Sequence, residues 1–158
     1  MKTKSIDTPL SELTLRRYEK PYNLGKRDLV RKLCLSLGLL NPGDSRDVIV
    51  DVLYVLLEAR KKSMKLSSDE IREDVIAFRK QEKISDNGTA ASNIRRQIRR
   101  LRETMLVEKI KNDYRITEFS DVGEIFYEKV EKFMLPSIID RLKEYMTMID
   151  QGFKKNEQ

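Results

Sequence analysis

Residues 66–117 read LSSDEIREDVIAFRKQEKISDNGTAASNIRRQIRRLRETMLVEKIKNDYRIT, and this stretch decides the fold. Its opening specifies a helix start. Ser67 stands three residues before Glu70, where a Ser side chain accepts from the N3 amide and the N3 carboxylate reaches back. Leu66 and Ile71 hold the flanking staple positions, and Ile71, Val75 and Phe78 recur at helical spacing. Residues 83–88, ending in Asp86-Asn87-Gly88, read as a turn. A second helix is predicted over 89–104. Residues 106–111 and 114–117 should then pair as a small hairpin around Asn112-Asp113. Thr117 is expected to cap a long final helix, which Pro136 should kink or divide.

The helix over 89–104 carries the chemistry. Successive residues turn by about 100°. Ala90, Ala91, Ile94, Ile98, Leu101 and Met105 therefore share one side. Ser92, Arg96, Arg99, Arg100 and Glu103 occupy the other, flanked by Asn93 and Arg95. A guanidinium can donate twice to guanine, and an Asn amide can pair with adenine. Ser92, Asn93 and Arg96, at the helix start, are expected to read base edges. Arg99, Arg100 and Arg102 should meet phosphates, as should an exposed Thr89 hydroxyl beside the helix N-terminus. Lys109, Lys111, Asn112 and Arg115 on the hairpin would extend the contact. The bland alternative is a solvated Arg-rich face. Against it, Arg95–Arg99 and Arg96–Arg100 are like charges at i,i+4, which oppose helix formation by a few tenths of a kcal/mol each.

Three segments carry a resemblance: LSSDEI, then TAASNIRRQIRRLRETMLVEKI, then YRITEF. In this order they resemble the winged helix-turn-helix superfamily of prokaryotic transcription regulators. The resemblance spans 66–127, with Met105 standing where such families often have Gly. It implies DNA binding and transcriptional control, with the hairpin as the wing. The fold expected is mainly α: a winged helix-turn-helix with an N-terminal helical extension, a short β-hairpin wing and a long C-terminal helical region.

Outward from this stretch, residues 1–25 read as a flexible or partly ordered arm, punctuated by Pro9, Pro21 and Asn23-Leu24-Gly25. Within it, 10–19 suits a short helix or a strand. The N-terminal basic residues (Lys2, Lys4, Arg16, Arg17, Lys20, Lys26 and Arg27) suit a solvated tail or a phosphate-following arm. A helix is predicted over 26–37, with Cys34 as a buried thiol in its apolar stripe. Asn41-Pro42-Gly43 breaks the chain, and Asp44 or Ser45 should cap a helix over 46–62. The apolar residues of that helix cover more than one stripe, so it should be the central element. The winged domain is thus placed at 26–135.

Beyond it, a helix over 136–158 is expected to join two copies. Phe133, Ile138, Ile139, Leu142, Tyr145, Met146 and Ile149 offer more apolar surface than a small domain needs. The alternative is that this region folds back over 26–62. A two-fold dimer would address half-sites about 34–36 Å apart.

Composition narrows the function further. The chain has 158 residues, 32 Lys+Arg against 26 Asp+Glu, one Cys and no His. Without His, no Ser-His-Asp or Cys-His nucleophile system and no Cys/His zinc site can be built. No G-x-G and no Gly-Lys-Ser/Thr occurs, so dinucleotide and P-loop fingerprints are absent. Acidic pairs such as Asp69/Glu73 and Glu124/Glu128 have spacing that plain surface charge also shows. No enzyme and no cofactor is expected. Residues 89–116 hold eight basic and three acidic residues, the densest positive segment. Such a concentration suits a polyanion, here double-stranded DNA. A winged-helix protein-interaction module and an RNA-binding protein are the alternatives. The first residues lack the apolar core of a signal peptide, and the apolar run 48–57 is interrupted by Asp51. A cytoplasmic, nucleoid-associated protein is therefore expected.

Overall fold

The computed structural model describes residues 7–157, so Lys2, Lys4 and Gln158 lie outside the described residues. The molecule is mainly helical, 58% helix, with five helices and one small antiparallel sheet of three strands among the described residues. Helix α1 is Lys26–Ser36 and α2 is Val48–Lys61. Strand β1 (Leu66–Ser67) leads into α3 (Ser68–Gln81) and α4 (Ala91–Glu103). Strands β2 (Val107–Ile110) and β3 (Asp113–Ile116) precede α5, a composite helix over 122–152.

Helix α2 is the hub. Its residues 48–53 are all buried, and it packs against α1, α3, α4 and β3. One of those buried residues is Asp51, fully enclosed. An isolated carboxylate there would be prohibitive, so it is paired. Arg27 of α1 donates to Asp51 through Nε (2.8 Å) and Nη2 (3.1 Å). Arg79 of α3 donates to the same carboxylate, and its Nε donates to the Ser85 carbonyl at 2.6 Å. Asp47 accepts from both arginines. The cap expected from Asp44 or Ser45 is not formed. Asp47 takes the N-cap position without a side-chain cap bond, its carboxylate being used by the arginines. Asp44 instead accepts from the Arg46 amide.

The capping box forms as the spacing dictates: the Glu70 amide donates to Ser67 Oγ, and the Ser67 amide donates to Glu70 Oε1. The same Ser67 belongs to β1, which the sequence did not betray. Leu66 pairs with Tyr114 and Ser67 with Asp113, so β3 is central in a sheet of order β1-β3-β2. The expected two-stranded hairpin is thus one half of a three-stranded sheet. Its turn also lies one residue earlier, at Lys111-Asn112: Lys111 takes φ +57°, and Asp113 already pairs with Ile110.

Thr117 is not the cap of the final helix. It is buried, and its hydroxyl donates to the Met105 carbonyl at 2.6 Å. A 3-10 turn, Thr117–Phe119, intervenes, and Asp121 starts α5. Arg60 holds that start, donating to the Ser120 carbonyl at 2.7 Å and to the Asp121 carboxylate. Helix α5 then runs through Val122–Ile125, a π-helical stretch Phe126–Met134, and Leu135–Gly152. Its hydrogen-bond pattern changes next to Pro136, which cannot donate. The junction residues Phe126, Met134 and Leu135 nonetheless keep right-handed helical dihedrals, so the helix is divided in pattern without being broken. No residue of Leu135–Gly152 is buried, so this segment does not fold back over α1 and α2.

The arm over 10–19 forms neither helix nor strand. It is nevertheless docked. The Arg16 amide donates to the Ser36 carbonyl at 2.8 Å, and its guanidinium donates to the Leu35 and Leu40 carbonyls. Thr14 lies where a Cβ on Gly38 would sit, 2.5 Å from its Cβ, and Gly38 has φ +73°. Only glycine meets both demands.

Candidate nucleic-acid interface

Helix α4 starts at Ala91, not Thr89, because the preceding residues are committed to a turn. The Thr89 hydroxyl donates to the Asp86 carbonyl at 2.6 Å, and its own carbonyl accepts from Arg72 Nε at 2.7 Å. Thr89 is buried rather than exposed, so its hydroxyl is withdrawn from any phosphate. Gly88 takes φ +84°, and a Cβ there would come within 3.0 Å of the Val48 side chain. The turn therefore passes close over the start of α2.

Asn93 latches that turn to α4. Its Nδ2 donates to the Gly88 carbonyl at 2.7 Å, while its Oδ1 accepts from Gln97 Nε2 and Arg96 Nη2. Both ends of the amide are engaged. Pairing with adenine would require these bonds to be given up.

The buried stripe of α4 is Ile94, Gln97, Ile98 and Leu101. Ala90 and Met105, expected on this side, are exposed. Met105 follows the helix at φ +71° and is 40% exposed. Ser92, Arg95, Arg96, Arg99 and Arg102 face solvent. Among the described residues, no carboxylate lies within ion-pair distance of these four arginines, and Arg96 is held only by Asn93.

Arg100 departs from this row. It is half-buried, donating to the Leu39 carbonyl at 2.7 Å and to Gln97 Oε1 at 2.9 Å. It stitches α4 to the loop between α1 and α2. The free phosphate-facing guanidinium expected at this position is therefore absent. Helical spacing puts Arg100 on the polar side, but the loop that reaches over this flank of the helix comes from a distant part of the chain.

On the hairpin, Lys111 and Asn112 form the exposed tip. Lys109 is also exposed, its Nζ 5.9 Å from the Tyr114 ring centre. Arg115 is partly buried and occupied by the fold: it binds Glu108 at 2.7 Å and lies 4.8 Å over the Phe119 ring. Burial pushes the Glu108 carboxyl up, but the Glu118 amide and Arg115 outweigh it and hold the group below its usual value. Of the cations expected at this surface, Arg95, Arg96, Arg99, Arg102, Lys109 and Lys111 remain available. Thr89, Arg100 and Arg115 serve the scaffold, and Asn93 is shared.

No family model, curated protein or solved structure matches this chain. No described helix is long and apolar enough to cross a membrane. Two positioning residues escaped the sequence: Arg79, which ties the turn before α4 to Asp51, and Arg72, which ties Thr89 to α3. A signal for Arg79 was present. It continues Ile71 and Val75 at i+4, on a face where a charge requires a buried partner, and Asp51 interrupts an apolar run.

Proposed function

We propose that the chain is a DNA-binding protein of winged helix-turn-helix type, a transcription regulator whose α4 enters the major groove. The observation that carries this is the row Arg95, Arg96, Arg99 and Arg102, exposed and uncompensated on one helix. A surface serving only solubility mixes signs, whereas uncompensated guanidinium groups favour phosphate and guanine. The element order supports the same reading: α2, β1, α3, α4, then the β2–β3 hairpin, with β1 closing onto β3 as in a wing-bearing sheet. Arg96 and Ser92, near the helix start, read bases. Arg95, Arg99, Arg102, Lys109 and Lys111 bind phosphates. Asn93 positions Arg96 and the turn. No catalysis and no cofactor enter this function, and its setting is the nucleoid.

Selection of bound duplexes from a random pool tests it. An enriched motif, lost in its guanine preference on Arg96→Ala, is the expected result. Failure to enrich any duplex over an equal mass of structured RNA, or of protein partners, would move the reading to RNA binding or to an interaction module.

A further inference from the structure

Segment Leu135–Gly152 is 18 residues long and buries none of them, yet it is strongly two-faced. Leu142 is 50% exposed, Tyr145 65%, Met146 58% and Ile149 56%. An isolated helix of this length is marginal in water, and most helical stability comes from packing an apolar face. The surface is therefore incomplete in one copy.

We infer that α5 pairs with α5 of a second copy, antiparallel, in one register. The pattern is heptadic: Leu135, Leu142 and Ile149 fall at a; Ile138, Tyr145 and Gly152 at d. In an antiparallel pair, a faces d of the other helix. Leu135 then meets Gly152 of the second copy, Ile138 meets Ile149, and Leu142 meets Tyr145. Every layer is symmetric about the midpoint of 135–152, so the two segments overlap along their full length. The largest disparity, Leu135 opposite Gly152, matches a bulky side chain to an absent one, and nothing within one copy crowds Gly152.

The flanking positions accept the antiparallel direction. Ile139 and Met146 stand at e, Arg141 and Met148 at g. Antiparallel packing brings e against e, apolar on apolar. Arg141 meets a methionine in either direction, Met148 of the second copy when antiparallel and Met146 when parallel. The direction is set by the opposed helix dipoles and by the Leu135–Gly152 layer, which parallel pairing would replace with Leu135 on Leu135 and an empty Gly152 layer. Leu142, Tyr145, Met146 and Ile149 are each at least half exposed, and the same stripe on a second copy complements them layer by layer. A second copy is thus a sufficient occupant. Phe133, on the π-helical stretch, falls outside the stripe. This inference is independent of the DNA-binding reading.

Light scattering of the full chain at micromolar concentration should give twice the monomer mass, and Leu142→Asp should halve it. Direction and register are tested by cysteine pairs under mild oxidation with oxidised glutathione. The native Cys34 does not compete, since it is buried and burial pushes its thiol up to about 12. Ile138→Cys with Ile149→Cys should form covalent dimers, while either substitution alone should not. Neither position is buried, so the subunit fold is retained. A monomer mass for the wild type, cross-linking by the single variants as readily as by the pair, or a dimer that none of them cross-links would each overturn the inference.

Discussion

Asp51 is the residue on which the scaffold turns, because two arginines from different helices converge on it inside the core. Without Arg79, Asp51 keeps Arg27 but loses one charged hydrogen bond and the Ser85 carbonyl loses its donor, at a cost of about 1.5–3 kcal/mol. Arg79→Ala should therefore lower the urea midpoint by an amount equivalent to that loss, with an unchanged slope. A change under 1 kcal/mol would show the network to be dispensable. Arg100→Ala separates scaffold from interface in the same way. Because Arg100 holds the Leu39 carbonyl, its loss should reduce thermal stability while leaving the salt dependence of DNA binding intact. Glu108 gives a pH test. Its folded carboxyl titrates below its ordinary value, 4.5, so its contribution is present above that pH and lost as pH falls. Glu108→Gln should flatten the acid limb of the stability profile, leaving stability at pH 7 less affected by further acidification. At this scale the sequence was legible where a side chain acts on its own helix, as in Ser67 and Glu70. It was silent where the partner is distant in the chain, as with Arg100 and Leu39 or Arg27 and Asp51.

Among the elements, the helices and the hairpin announced themselves through periodicity and turn residues, and their ends were the weaker part. Strand β1 has two residues, too few for any alternation to register, and one of them doubles as a helix cap. Thr117 has the chemistry of an N-cap, but its hydroxyl donates to the Met105 carbonyl instead. Met105 itself is the clearest opportunity in the chain. It follows α4 at φ +71°, where non-glycine residues are disfavoured by about 1–2 kcal/mol. Met105→Gly should raise the melting temperature, since the side chain lost is exposed and the strain is relieved. A lower melting temperature would mean that the Met105 side chain contributes packing its exposure conceals. Gly38→Ala should act oppositely, clashing with Thr14 and releasing the arm. Faster proteolysis at Arg16 and Arg17 would report that release, and an unchanged cleavage rate would show that the arm docks without this contact.

The whole molecule divides its positive charge between two tasks. Arg16, Arg27, Arg60, Arg79 and Arg100 face inward or along seams, fastening the arm, α1, α5, α3 and α4 to their neighbours. Arg95, Arg96, Arg99 and Arg102 face outward without a carboxylate among the described residues. Composition could show the excess charge but not this division, which depends on tertiary contacts. The proposed function has Arg95, Arg99 and Arg102 binding duplex DNA through phosphates. Its most direct measurement is the salt dependence of affinity for a duplex, by fluorescence anisotropy, for the wild type and for Arg95→Gln/Arg99→Gln/Arg102→Gln. Each phosphate contact contributes a log–log slope of about −0.9. The triple variant should remain folded, bind more weakly at every salt concentration, and lose about 3 units of slope. A folded triple variant with the wild-type affinity and slope would contradict the claim.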